Sequence, residues 1–263
     1  MRATDNWNYS EQIAVAVTPV EQHGGYWVKR DDLYRTAGVS GGKARTCWAL
    51  AHGATGGLVT ACGRGSPQAN IVACVARALG LQARIHIPSG ALEPETELAR
   101  TNGGVLIQHR PGYNSVIVAR AHTDAAELGW REIPFGMECG TAVEQTALQV
   151  RNLPTGAYRR LVVPVGSGMS LAGILTGLLD TGATQPVLGV YVGADPGKRL
   201  RRYAPFGYTA WTELIPAGVP YGHPLHARLG GLALDPYYEA KCVRFLTPGD
   251  LLWVVGHREG GLR

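Results

Sequence analysis

No Cys-x-x-Cys pair occurs in the 263 residues. The five cysteines, Cys47, Cys62, Cys74, Cys139 and Cys242, are odd in number and scattered. That spacing argues against a zinc site and against a disulfide framework; reduced, mostly buried thiols are expected. A long unbroken apolar run is also missing. The most apolar stretch, residues 161–179, is interrupted by glycine and serine, which excludes a membrane span there. The first seven residues lack the apolar core of a signal peptide, so a cytoplasmic chain with no membrane partner is expected. No internal repeat or low-complexity segment is present. Charged residues make up only 17% and apolar residues 45%, a globular balance and not a disordered one.

Two nucleotide-binding signatures are incomplete. A P-loop needs a glycine five residues before its Gly-Lys pair and Ser or Thr after it. Around Gly42-Lys43 those positions hold Ala37 and Ala44. The dinucleotide pattern G-x-G-x-x-G begins at Gly166 but has Leu171 where its third glycine belongs.

What is present starts with 36 glycines and 16 prolines, which suit an α/β enzyme with loop-built sites. The net charge is +5, partly from Lys198, Arg199, Arg201 and Arg202. That cluster reads either as a solvated loop or as a contact for a polyanion. Apolar periodicity predicts short strands at 13–17 and 26–29 flanking a Gly24-Gly25 turn. A helix over 43–53 follows. Strands at 58–61, 83–87 and 105–108 then alternate with helices at 67–79, 94–102 and 115–128. Residues 134–140 read as a connector. A second series has a helix at 141–151, a strand at 161–165, a helix at 169–179 and a strand at 187–192. Residues 196–234 carry no clear pattern. A helix near 236–245 and a strand at 251–255 close the chain. This alternation predicts parallel sheets covered on both faces.

Three stretches carry chemistry. Lys43 directly follows Gly41-Gly42 and opens a helix, where a positive charge opposes the helix field. It reads as a surface lysine, as the neighbour of an anion, or as a lysine bound to an aldehyde cofactor. Gly166-Ser167-Gly168-Met169-Ser170 joins a strand to a helix, so its N–H groups could face a phosphate. A dinucleotide loop with Asp195 on a ribose, a cup for a smaller cofactor, and a structural turn all remain open. Asp235-Pro236-Tyr237-Tyr238-Glu239 reads as a cap followed by a helical turn, with the tyrosines and Glu239 either packing or facing a ligand.

Taken in order, these pieces resemble one family. The set runs Lys29-Arg30-Asp31-Asp32, Gly41-Gly42-Lys43-x-Arg45, Gly65-Ser66-x-Gln68, Gly166-Ser167-Gly168-x-Ser170, Tyr221-Gly222-x-Pro224, Asp235-Pro236-x-Tyr238-Glu239-x-Lys241, and His257 near Gly260-Gly261. It is similar to the pyridoxal-phosphate enzymes of the tryptophan synthase β-like fold, fold type II. The nearest resemblance is to the branch of 1-aminocyclopropane-1-carboxylate deaminase and D-cysteine desulfhydrase. The resemblance implies a two-lobed, open parallel-sheet α/β fold. Its large lobe would hold residues 1–42 and 137–263, and an inserted small lobe 43–136, with pyridoxal 5'-phosphate in the cleft.

The resemblance also implies roles. Lys43 is the Schiff-base lysine and moves the substrate α-proton. Ser66 lies beside the substrate carboxylate. Gly166, Ser167, Gly168, Met169 and Ser170 form the phosphate loop. Glu239 faces the pyridine nitrogen, and Tyr221 and Tyr238 face the substrate carbon skeleton. The family's Asn before the lysine is missing, Thr46 replaces a second lysine, and Pro67 stands where an Asn meets the ring oxygen. Asn70, one turn on, is the expected substitute. Met169 stands in place of a small residue. The implied function is a lyase or deaminase acting on a small amino acid by elimination or ring opening. Two alternatives are a decarboxylase acting on a larger anionic adduct, including one carried on a nucleic acid, and a non-catalytic binding protein. A homodimer is expected, a nucleic-acid partner is not favoured, and no metal is expected.

Overall fold

The structure, a computed structural model, describes residues 16–256. Its strands and helices follow in chain order. The first part holds β1 (Val20–His23), β2 (Tyr26–Arg30), β3 (Arg35–Thr36), β4 (Val39–Ser40) and α1 (Gly42–Ala51). Then come β5 (Gly57–Ala61), α2 (Gln68–Ala78), β6 (Gln82–Pro88), α3 (Pro94–Thr101), β7 (Gly104–His109), α4 (Asn114–Leu128) and β8 (Arg131–Ile133). The remainder holds α5 (Gly140–Ala147), β9 (Arg160–Val165), α6 (Met169–Asp180), β10 (Val187–Tyr191), α7 (Gly197–Tyr203) and β11 (Thr212–Pro216). Last are β12 (Arg228–Leu229), β13 (Leu232–Ala233) and β14 (Asp250–Val254). Contacts divide the chain into two compact units, one containing Arg35–Glu138 and the other containing residues 16–34 and 139–256. The first division falls before the β3–β4 hairpin, ahead of the Gly42-Lys43 boundary expected from the sequence, because that hairpin packs on α1.

The unit over 35–138 has a four-stranded parallel sheet in the order β7-β6-β5-β8. Side chains alternate across it, so Ile85 and Ile87 join Ala69, Ala73 and Ala99 on one face. Val59 and Ala61 join Ile117, Ala121 and Ala125 on the other. Covering both faces is what a parallel sheet requires. Each fully buried isoleucine contributes about 1.5–3 kcal/mol. Small residues let the layers close up: a Cβ on Gly57 would lie 2.3 Å from the Trp130 ring. β8 is an addition to the strands expected from the sequence, and only three residues long.

The unit over 16–34 and 139–256 has a six-stranded sheet in the order β1-β2-β14-β9-β10-β11, parallel except for β1. The last strand, β14, lies between β2 and β9 and is buried throughout. Leu161, Val163, Leu251 and Trp253 face α5 and α6. Val162, Leu188, Leu252 and Val254 face the layer holding Leu234, Ala240 and Cys242. Gly173 and Gly177 let α5 and α6 touch, since a Cβ on Gly177 would meet the Ala147 carbonyl at 2.5 Å.

Several expectations change here. The partner of β2 across the Gly24-Gly25 turn is Val20–His23, while residues 16 and 17 belong to no strand. Both turn glycines have positive φ, 57° and 82°, as a two-residue hairpin turn demands. Residues 13–15 of the expected strand, and His257 with Gly260-Gly261, lie outside the described residues. The helix expected over 141–151 is α-helical to Ala147 and then tightens to a 3-10 helix over Leu148–Asn152. The helix expected near 236–245 is a 3-10 helix over Glu239–Phe245. Its start is delayed because Asp235 Oδ1 takes the N–H groups of Tyr237 and Tyr238 at 2.8 and 3.0 Å, which fixes a turn there. Within the unassigned 196–234 stretch lie α7, β11, β12 and β13. Among the described residues no helix is long and apolar enough to cross a membrane.

Candidate active site

In the 35–138 unit, Lys43 is the second residue of α1, entered through Gly41 at φ 86°. A side chain would be strained at that φ, and glycine is not. Lys43 is half-buried. Its charge reaches the end of β5, where it opposes the burial that pushes the Cys62 thiol up to about 12. Ser66 sits in the loop leaving that same strand, its N–H bonded to the Gly63 carbonyl. The Ser66 hydroxyl accepts the Gln68 N–H at 3.3 Å and so opens α2. Gln68 is fully buried and donates Nε2 to Thr60 Oγ1 and to the Pro134 carbonyl, both at 2.8 Å. Asn70 faces a different way. Its carbonyl oxygen accepts Asn102 Nδ2 at 2.8 Å and the Cys74 thiol at 3.5 Å, on the side of α2 that packs against α3.

In the other unit, β9 ends at Val165, and Gly166-Ser167-Gly168 leads into α6. Gly168 is at φ 95°, and a Cβ there would crowd Pro196 and Leu200. No described residue accepts from the N–H groups of Ser167, Gly168, Met169 or Ser170. Unmet donors at a helix start are a ready anion site. The Met169 side chain lies in the core, so it offers this loop its N–H alone. A Cβ on Gly166 would lie 3.0 Å from the Tyr238 ring, so that ring packs on the loop. Tyr221 meets Tyr238 edge-on, with centroids 5.7 Å and hydroxyls 3.5 Å apart.

Glu239 is buried at the end of β14. Its Oε1 accepts the Val255 N–H at 2.8 Å. Its Oε2 is buried with no partner among the described residues. Burial raises its pKa well above the usual carboxylate value, and the Asp235 and Asp32 charges add to the effect. A buried carboxyl with one open oxygen is suited to a ligand nitrogen that shares its proton. The same unit thus gathers Gly166, Tyr221, Tyr238 and Glu239 at the ends of β9 and β14.

Sequence reasoning missed a polar cluster in the 35–138 unit. Arg84 pairs with Asp124, His86 bridges Asp124 and His109, and Arg120 bonds His109. These side chains line an opening of about 610 Å³. His86 and His109 lie on adjacent strands, and nothing in the local pattern joins them.

A family model described as pyridoxal-phosphate dependent enzyme matches residues 13–218. Among solved structures, an ACC deaminase homologue is similar at a TM-score of 0.76 and 20% identity, over 94% of this chain and 90% of that one. Threonine deaminase isoform 2 from Solanum lycopersicum, in its processed form, gives 0.65 and 14%, over 94% and 85%. Maize serine racemase gives 0.62 and 14%, over 94% and 88%. Such identities carry the fold, which is fold type II, in agreement with the sequence. A local match of 36% identity over 90 residues joins 34% of this chain to a probable acetyltransferase of Mycobacterium tuberculosis and spans 29% of that protein. The residues present suit a pyridoxal phosphate. Unmet N–H groups at 167–170 match its phosphate, and the open Glu239 oxygen matches its ring nitrogen. The family match covers more than half of the sequence, and the chain belongs to the pyridoxal-phosphate dependent enzymes.

Proposed function

We propose that the protein is a deaminase or lyase acting on a small amino acid. The observation that carries this reading is Glu239, a buried carboxyl with one open oxygen directly after a tyrosine packed on Gly166. When bound, the cofactor supplies an electron sink for the bond broken at the substrate α-carbon. A carboxyl at the ring nitrogen keeps that sink strong. Lys43 would hold the cofactor through its amine, and that amine would take and return a proton at the substrate α-carbon. Ser66 binds the substrate carboxylate through its hydroxyl. The N–H groups of 167–170 and the Ser170 hydroxyl bind the phosphate. The Tyr221 and Tyr238 hydroxyls, 3.5 Å apart, face the substrate carbon skeleton and exchange a proton with it. Asn70, engaged with Asn102, supports α2.

The likeness to an ACC deaminase homologue supports the choice of branch. The test is turnover by the purified, cofactor-loaded protein of 1-aminocyclopropane-1-carboxylate and of D-cysteine. Release of ammonia with a 2-oxo acid from either one is expected. Racemisation of serine with no ammonia released would contradict the reading.

A further inference from the structure

Lys241 belongs to the Asp235–Lys241 motif, yet the proposed chemistry leaves it without a task. It is fully buried in the 3-10 helix over Glu239–Phe245. Its ammonium donates to two successive carbonyls, Pro220 at 2.9 Å and Tyr221 at 3.1 Å. The same nitrogen lies 5.9 Å from the centre of the Tyr221 ring. Three contacts from one charge therefore converge on one residue and its predecessor.

The segment they hold belongs to no sheet or helix: residues 217–227 form neither. Pro220 has no N–H to donate. Backbone bonds along the segment run from the Ala217 N–H to Tyr191, from the His223 N–H to Pro220, from the Leu225 N–H to Pro236 and from the Leu234 N–H to Ala227; the Arg244 guanidinium donates to the Ala217 carbonyl, three residues ahead of Pro220. The Lys241 ammonium is anchored from outside the segment, in a different element. An ammonium is a compact donor whose N–H groups can point to adjacent carbonyls at once, which a planar guanidinium does less well. Charge-assisted bonds are also stronger than neutral ones in a dry setting. Tyr221 is 38% exposed, so burial alone does not fix it.

We propose that Lys241 is a positioning residue: it pins the Pro220–Tyr221 backbone and thereby sets the Tyr221 hydroxyl beside that of Tyr238. This rests on the reading of Tyr221 as substrate-facing. Two readouts test it. In apoprotein, chymotrypsin should cleave after Tyr221 at least about tenfold faster in Lys241→Met than in the unaltered chain; equal rates overturn the proposal. In the loaded protein, a double-mutant cycle with Tyr221→Phe is read on kcat for 1-aminocyclopropane-1-carboxylate or D-cysteine. Lys241→Met should lower kcat about tenfold or more when Tyr221 is present and less than about twofold in the Tyr221→Phe background. Losses that simply multiply overturn the proposal, since a merely structural lysine would act in both backgrounds. Should Lys241→Met not fold, Lys241→Arg carries both measurements: it keeps the charge, and the same coupling to Tyr221→Phe is expected. If Tyr221→Phe alone leaves kcat unchanged, the substrate-facing role of Tyr221 fails, and the cleavage rates still decide whether Lys241 pins the segment.

Discussion

Glu239 shows how far a single residue can be read. The pattern Asp-Pro-x-Tyr-Glu alone leaves it either packing or facing a ligand, and only the family resemblance implies a place at the pyridine nitrogen. Its burial and the anchoring of Oε1 by the Val255 N–H are tertiary facts. They have a measurable consequence in apoprotein. Below its ordinary value of 4.5, Glu239 is protonated folded or unfolded and exerts no pH effect. Above that value the unfolded chain releases the proton while the folded chain keeps it. Stability is thus lost as pH rises, by about 1.4 kcal/mol per unit until the raised folded value is passed. Glu239→Gln removes this dependence. Its Tm advantage over the unaltered apoprotein should therefore grow from pH 4.5 upward; a difference independent of pH would contradict the burial argument. In the loaded protein the same change should keep the cofactor and reduce turnover by roughly 10²-fold, the scale of one strong electrostatic element. Lys241 is harder to read, because its partners lie 20 and 21 residues away in a patternless segment.

At the level of elements, strong periodicity makes the alternating strands and helices legible. β9, α6 and β14 lie within a residue or so of their sequence positions. β1 is not legible, because Val-Glu-Gln-His has almost no apolar signal and becomes a strand only through pairing with β2. The 3-10 helix over Glu239–Phe245 resembles an α-helix in sequence because the Asp235 cap looks the same in both. The loop proposed to take the phosphate is marked in the sequence by Gly166-Ser167-Gly168 between a strand and a helix, a pattern that a dinucleotide loop or a structural turn shares and that the family resemblance narrows. Ser170→Asp separates its two roles. A carboxylate on the first turn of α6 complements the helix field, so apoprotein stability should be unchanged or higher by about 0.3–1 kcal/mol. The same charge repels a phosphate, so the dissociation constant for pyridoxal phosphate should rise about tenfold or more, read by dialysis against the free cofactor. Undiminished affinity would remove the loop from the cofactor's binding set.

For the whole molecule, the question reduces to which amine carries the cofactor. The sequence has Lys29, Lys43, Lys198 and Lys241 and no other lysine. Lys29 is buried and donates to the Thr18 carbonyl and to Asn152 Oδ1, both at 2.7 Å. Lys241 is held by Pro220 and Tyr221. Lys198 is exposed on α7. Lys43 alone is half-buried, follows a glycine pair and reaches a strand end where a site loop begins. Each unit's own sheet places its candidate residues at strand ends, where ligands of α/β proteins bind. Borohydride reduction of the cofactor-loaded protein, followed by peptide mapping, tests this most directly. Bleaching of the visible band and a pyridoxyl group on Lys43 alone are expected; a label on Lys29, Lys198 or Lys241, or no label at full cofactor occupancy, would contradict the assignment.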